Sequence, residues 1–263
     1  MSRFPAMTSP NALLPASGLA RLSPHAPRWR PGLAGAHHSE VFACSREAGG
    51  AAAALALAAD ALRAAHRGAA AEAQDRRVLL WVQDREALRR GGRPYRPGLP
   101  PAFRERLVHV ACQSPQDALF ALEEGLRCRE VAAVVGEIAG NPRALDFTAS
   151  RRLTLTAEKH GVPLWLVRLD AARDLSSARL RWNVTAAASP RPRWNRDAPG
   201  APSWRAELFR ARTHPPGTWT LRDDEHALVA ERRADGDADQ RDAAAPYPLG
   251  LAFASGDRSL AAW

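Results

Sequence analysis

The segment Cys44-Ser45-Arg46-Glu47-Ala48-Gly49-Gly50-Ala51 stands where a phosphate-binding loop would stand, between a short predicted strand and an alanine-rich predicted helix. A working loop reads G-x-x-x-x-G-K-[ST]. Its glycines let backbone N–H groups close on phosphates, its lysine balances their charge and its hydroxyl holds Mg²⁺. Here Gly49 and Gly50 are present, the lysine is missing, and Ala51 replaces the hydroxyl residue. The chain's single lysine, Lys159, lies far along the sequence in another predicted helix. The second element of an ATPase site is an acid at the end of a buried strand. Glu137, after the apolar run 131–136, is so placed, although an ordinary solvated strand-end acid reads the same way. Losing the lysine forfeits a charge-assisted contact of about 1.5–3 kcal/mol, and losing the hydroxyl forfeits the metal. Gly49, Gly50 and Glu137 therefore mark a degenerate nucleotide site, with no catalytic residue and no cofactor.

A second constellation suits nucleic acid. Arg179, Arg181, Trp182, Arg191, Arg193, Trp194 and Arg196, followed by Trp204 and Arg205, interleave cations with large aromatics. Single-strand binding uses this combination, arginine on phosphates and an aromatic face under the bases. Trp182 and Trp204 also fit the alternation of a strand, which would bury them instead. Charge distribution supports the first reading: residues 173–212 carry nine arginines against three acids, within a chain of net charge +9. Residues 85–106 are similarly basic, and the stretches 40–84 and 107–172 are almost neutral. An overall excess of base points to an anionic partner.

Other chemistry is weakly represented. There is no G-x-S-x-G and no pair of carboxylates beside a suitable histidine, and Glu123-Glu124 reads as an exposed helix face. His37-His38 reads as incidental, on an exposed loop. Cys44, Cys112 and Cys128 lack metal-ligand spacing and suit buried thiols in a reducing compartment. No apolar run approaches the roughly 20 residues that span a bilayer, and prolines interrupt the N-terminus where a signal peptide would be continuous. A cytoplasmic protein is expected.

The elements that must position these residues alternate. Strands are predicted at 39–43, 78–82, 107–112, 131–138 and 164–169, and helices at 51–65, after Ser114-Pro115, and over 143–160. Residues 85–101 read as a basic loop punctuated by Gly and Pro. Strand–helix alternation implies a mainly parallel sheet with right-handed crossovers. After residue 170 the pattern changes to hairpin-like strands at 178–186, 204–212 and 218–221, an antiparallel extension. Residues 1–36 read as an irregular arm and residues 222–263 as an acidic, poorly ordered tail.

The order of these segments resembles the ImuA family, RecA-like proteins of bacterial SOS mutagenesis. The resemblance rests on Ala121-Leu122-Glu123-Glu124-Gly125-Leu126-Arg127-Cys128, Val134-Val135-Gly136-Glu137, Leu145-Asp146-Phe147-Thr148-Ala149-Ser150-Arg151-Arg152-Leu153 and Gly161-Val162-Pro163. The strand 178–182 and the segment 204–212 add to it, so that it spans about residues 37–221. It implies a RecA-like α/β core without the full ATPase equipment. It also implies partners: an ImuB-like relative of Y-family polymerases, an error-prone C-family polymerase, and single-stranded DNA. RecA-like domains join head to tail, so self-association is implied as well; the arm offers Leu13-Leu14, Leu19 and Leu22 for docking. Two other readings remain open, a SulA-like division inhibitor that binds a tubulin-like protein, and a diverged but live RecA-like ATPase.

Overall fold

The computed structural model describes residues 30–31, 38–47, 49–68, 76–192, 195, 198–224 and 227–233. The arm 1–36 lies outside them, apart from residues 30–31, as do residues 234–263. The sheet and its helices fall in the unit that begins at Pro31. In chain order the elements are β1 (His38–Ala43), α1 (Gly49–Gly68), β2 (Val78–Gln83), α2 (Arg85–Gly91), α3 (Pro101–Arg104), β3 (Leu107–Ala111) and α4 (Pro115–Arg127). They continue with β4 (Val131–Ala139), α5 (Phe147–His160), β5 (Leu164–Leu169), β6 (Leu180–Ala186), β7 (Ser203–Ala211), β8 (Gly217–Asp224) and β9 (Ala227–Arg232).

Among the described residues the strands form one sheet in the order β3-β2-β4-β5-β1-β6-β7-β8-β9. The strands from β3 through β6 are parallel to their neighbours, and β7, β8 and β9 continue the sheet antiparallel. The expected α/β architecture, mostly parallel with antiparallel C-terminal strands, is present. One boundary moves: β6, expected to open the antiparallel extension, pairs parallel with β1 and closes the parallel part. Both faces of β6 are covered at its start, Trp182 being buried on one and Arg181 on the other, so its alternation did not reveal its direction.

Burial explains the apolar runs. Alternate residues of the central strands, Leu80, Val82, Val134, Ile138, Leu164 and Leu166, meet Leu119, Leu122 and Leu126 of α4 and Leu153 and Ala157 of α5. The opposite face packs against α1, whose alanines (Ala53, Ala54, Ala58) are fully buried and let the helix lie close to the strands. Trp182, Trp204, Trp219, Leu221 and Leu228 are buried too, and α1 reaches β6 and β9. Trp182 meets Trp219 edge to face at 5.7 Å. This apolar row explains why residues 222–224 and 227–232, expected in a poorly ordered tail, complete β8 and form β9. Leu228 needs the cover and supplies it.

Helix starts follow local chemistry. Ser114 Oγ accepts from the Asp117 N–H, with Pro115 in the first turn of α4. Asp146 Oδ1 accepts from the Ala149 N–H and starts α5, four residues later than expected. Asp84 Oδ1 accepts from the Ala87 N–H, and Glu86 binds Arg89 and Arg90 within the same helix. Those two devices turn the first part of the predicted basic loop into α2.

On the α5 face, Glu40 in β1 lies between Arg181 of β6 and Arg168 of β5, at 2.7 and 3.6 Å, with Ser176 Oγ donating to it at 2.8 Å. Both guanidiniums also lie over the ring of Phe42. His38, read as a loop residue, is fully buried in β1 with its Nδ1 2.7 Å from Thr154 Oγ1. Burial pushes the imidazole down to about 4, so it stays neutral. Removing the carboxylate leaves two buried cations without their counter-ion. Glu40→Gln is expected to cost about 3–5 kcal/mol, read as a lower urea midpoint with an unchanged slope.

Candidate functional site

At the carboxyl ends of the parallel strands a cleft of about 480 Å³ opens between the loop after β1, the first turn of α1, and the α2 segment. Open parallel sheets bind ligands at this edge. Trp81, Leu55 and Glu137 line its inner side; Arg46, Arg93 and Tyr95 lie around its mouth.

Gly49 and Gly50 are the first residues of α1, and neither has the positive φ that only glycine adopts easily. Packing explains them instead. A Cβ on Gly50 would fall 2.4 Å from the Ala43 Cβ, and one on Gly49 would fall 3.2 Å from the Trp204 ring. They bring the helix against β1 and β7. Gly50 and Glu137 line the same cleft, and both glycines sit where a side chain would meet its neighbours.

Glu137 is 4% exposed and is not a solvated strand-end acid. Its Oε1 accepts from Trp81 Nε1 at 2.6 Å and from Gln83 Nε2 at 3.1 Å. Gln83 Nε2 also donates to the Gly92 carbonyl, and Gln83 Oε1 lies 2.8 Å from His109 Nε2. Burial raises the Glu137 carboxyl to about 7 against the lowering effect of these bonds. Among the described residues no cluster of His, Cys, Asp or Glu has metal-binding geometry. Trp81 and Gln83 carried no motif; the β2–β4 ladder, which sets Gln83 opposite Glu137 and Trp81 opposite Val135, brings them together.

The loop itself is fastened on both sides. The Asp170 carboxylate, just after β5, accepts from the Ser45 N–H at 2.9 Å and from Ser45 Oγ at 2.6 Å, and pairs with Arg90 of α2. Glu47 Oε2 accepts from the Ala186 N–H at 2.8 Å. Ser45 and Arg90 hold Asp170 well down, at about 2.

The described members of the predicted nucleic-acid surface differ in exposure. Trp182 is core, and Arg181 is buried on Glu40, so neither is available to DNA in this fold. Their strand alternation, which allowed this outcome, decided it. Arg179 is half-buried on Glu158. Arg191 is exposed. Arg193, Trp194 and Arg196 lie outside the described residues. Of the three cysteines, all free, Cys112 is buried while Cys44 and Cys128 are exposed, contrary to the expectation of buried thiols. No described helix is long and apolar enough to cross a membrane.

Glu137 makes a pH prediction. Its folded value of about 7 stands above the ordinary 4.5. Its protonated form therefore favours folding fully below the unfolded value, and that contribution is lost as pH rises through about 7. Glu137→Gln keeps the acceptor and removes the titration. Chemical denaturation should find this variant about 1–3 kcal/mol more stable than wild type at pH 8, with the difference vanishing near pH 4.

No family model matches the chain. Over 160 residues it is 34% identical to Protein ImuA of Caulobacter vibrioides, in two strains, covering 55% of this chain and 59% of each relative. The chain thus spans about three-fifths of the length of the curated relatives it matches. Among solved structures, SulA from Pseudomonas aeruginosa is 26% identical over 37% of this chain and 76% of that one, with a TM-score of 0.27. The similarity to Protein ImuA covers more than half of the chain, and the resemblance to the ImuA family expected from its segments is shown.

Proposed function

We propose that this protein is a non-catalytic accessory factor of SOS-induced, error-prone translesion DNA synthesis, acting in the cytoplasm. It works beside an ImuB-like relative of Y-family polymerases and an error-prone C-family polymerase, through a RecA-like core that has given up nucleotide chemistry. The observation that carries this reading is the 34% identity to Protein ImuA. Two features support it. A mostly parallel sheet whose first strand runs through a loop into α1 is an arrangement that nucleotide-binding domains share. The loop nevertheless lacks the lysine and the hydroxyl.

Deleting the gene should reduce ultraviolet-induced mutation to the uninduced frequency, and the tagged protein should retrieve an ImuB-like polypeptide from damaged cells. Induced mutagenesis that persists at the wild-type level would refute the role. The purified protein should release no phosphate from ATP.

Contact with single-stranded DNA belongs to the same proposal, confined to the segment around Arg191, Arg193 and Arg196 now that Arg181 and Trp182 are internal. Binding should be weak and independent of sequence. Three phosphate contacts give a slope of log K against log salt of about −2. Replacing the three arginines by alanine should flatten that slope. An identical slope in the triple variant would place any DNA contact elsewhere.

A further inference from the structure

The loop after β1 has the outline of an anion cradle and lacks the usual cation, but its donors are not idle. The Ser45 N–H, the Ser45 hydroxyl and Arg90 Nη1 converge on one carboxylate, that of Asp170. Asp170 comes from the next strand over, β5, and its backbone is unusual. Its φ is 50°, a left-handed value found at no other non-glycine position among the described residues. Aspartate tolerates that region better than most residues do, but it is still a cost that the surrounding bonds must offset. The Asp170 N–H donates to the Ala43 carbonyl at 3.0 Å, which ties the turn to the end of β1 directly before the loop. The carboxylate is thus delivered by a strained turn to the place where the loop's donors meet.

We infer that Asp170 is a tethered anion that occupies the loop's oxyanion position and keeps free phosphate groups out of it. A carboxylate and a phosphate use the same donors: backbone N–H, hydroxyl and guanidinium. A tethered acceptor is always present at its site, so a free oxyanion must displace it rather than fill a vacancy. The neighbouring cleft, which Ser45 and Arg90 also line, leaves room for the incoming group once the carboxylate is gone. Arg90 stays positioned in that event, because Glu86 of its own helix also holds it, at 2.7 Å. The Asp170 group stays ionised through the physiological range, so the block is permanent rather than pH-gated. This inference rests on reading residues 44–51 as a phosphate loop that lost its lysine. It adds that the same loop acquired an internal ligand.

The test is binding of inorganic phosphate, followed by ³¹P line broadening and by calorimetry, to three forms of the full chain. Asp170→Gly removes the carboxylate and suits the left-handed backbone without strain. It should bind phosphate at least about tenfold more tightly than wild type, as expected for recovered charge-assisted bonds. Asp170→Asn keeps an acceptor on Ser45 and should remain as weak as wild type, showing that occupancy and not charge alone closes the site. Adding Arg90→Ala to Asp170→Gly should abolish the gain. If Asp170→Gly does not fold, Asp170→Ala opens the same space and is held to the same tenfold criterion. No gain in the glycine or alanine variant overturns the tethered-anion inference and leaves the silent loop standing. Tight phosphate binding by wild type overturns both.

Discussion

Glu40 sets the condition that the rest of the sheet must meet. It lies in β1, the strand flanked by β5 and β6, and it is fully buried. A carboxylate removed from water at that depth costs several kcal/mol unless partners surround it. Those partners come from both neighbouring strands and from the segment after β5: Arg168, Arg181 and Ser176. The chain after β5 must therefore pass over the α5 face before it enters β6. On the way its serines join a buried row, with Ser176 2.9 Å from Ser150 Oγ and Ser177 2.6 Å from Thr154 Oγ1. Thr154 in turn holds His38. One buried charge thus explains the crossover, the polar face of α5 and the parallel placement of β6.

Much of the fold was legible because strands such as β2 and β4 are largely apolar on both faces and its helices carry explicit starts. The run 131–138 could only be a central strand, and Ser114-Pro115 could only begin a helix. What was misread has a common cause. Arg181, His38 and Glu137 are polar residues that the sequence assigns to water, and each is buried because a distant group satisfies it. Glu40 lies 141 positions from Arg181 along the chain. No local pattern reports such a pairing. Trp182 was ambiguous for the opposite reason, since a tryptophan in an alternating strand fits a core and a stacking platform equally well.

The candidate site is held in shape by contacts within the chain. Gly50 is held by the Ala43 contact, Glu137 by Trp81 and Gln83, and Ser45 by Asp170. None of these constraints needs a ligand. The arginines have been redirected as well. Arg168 and Arg181 are buried over the Phe42 ring and Arg173 lies exposed over Phe209, so part of the chain's positive charge is structural. The net charge of the sequence therefore overstates what a partner would encounter on the sheet.

Lys159 sits exposed in the last turn of α5, where a cation complements the helix's carbonyl end. It is also the one side-chain amine in the molecule. Every other permanent cation is a guanidinium, which does not lose its proton in proteins. The protein is therefore nearly blind to amine chemistry: an acylating crosslinker or a spectroscopic tag directed at lysine would address a single side chain, at the end of the helix that leads into β5 and outside the lining of the cleft.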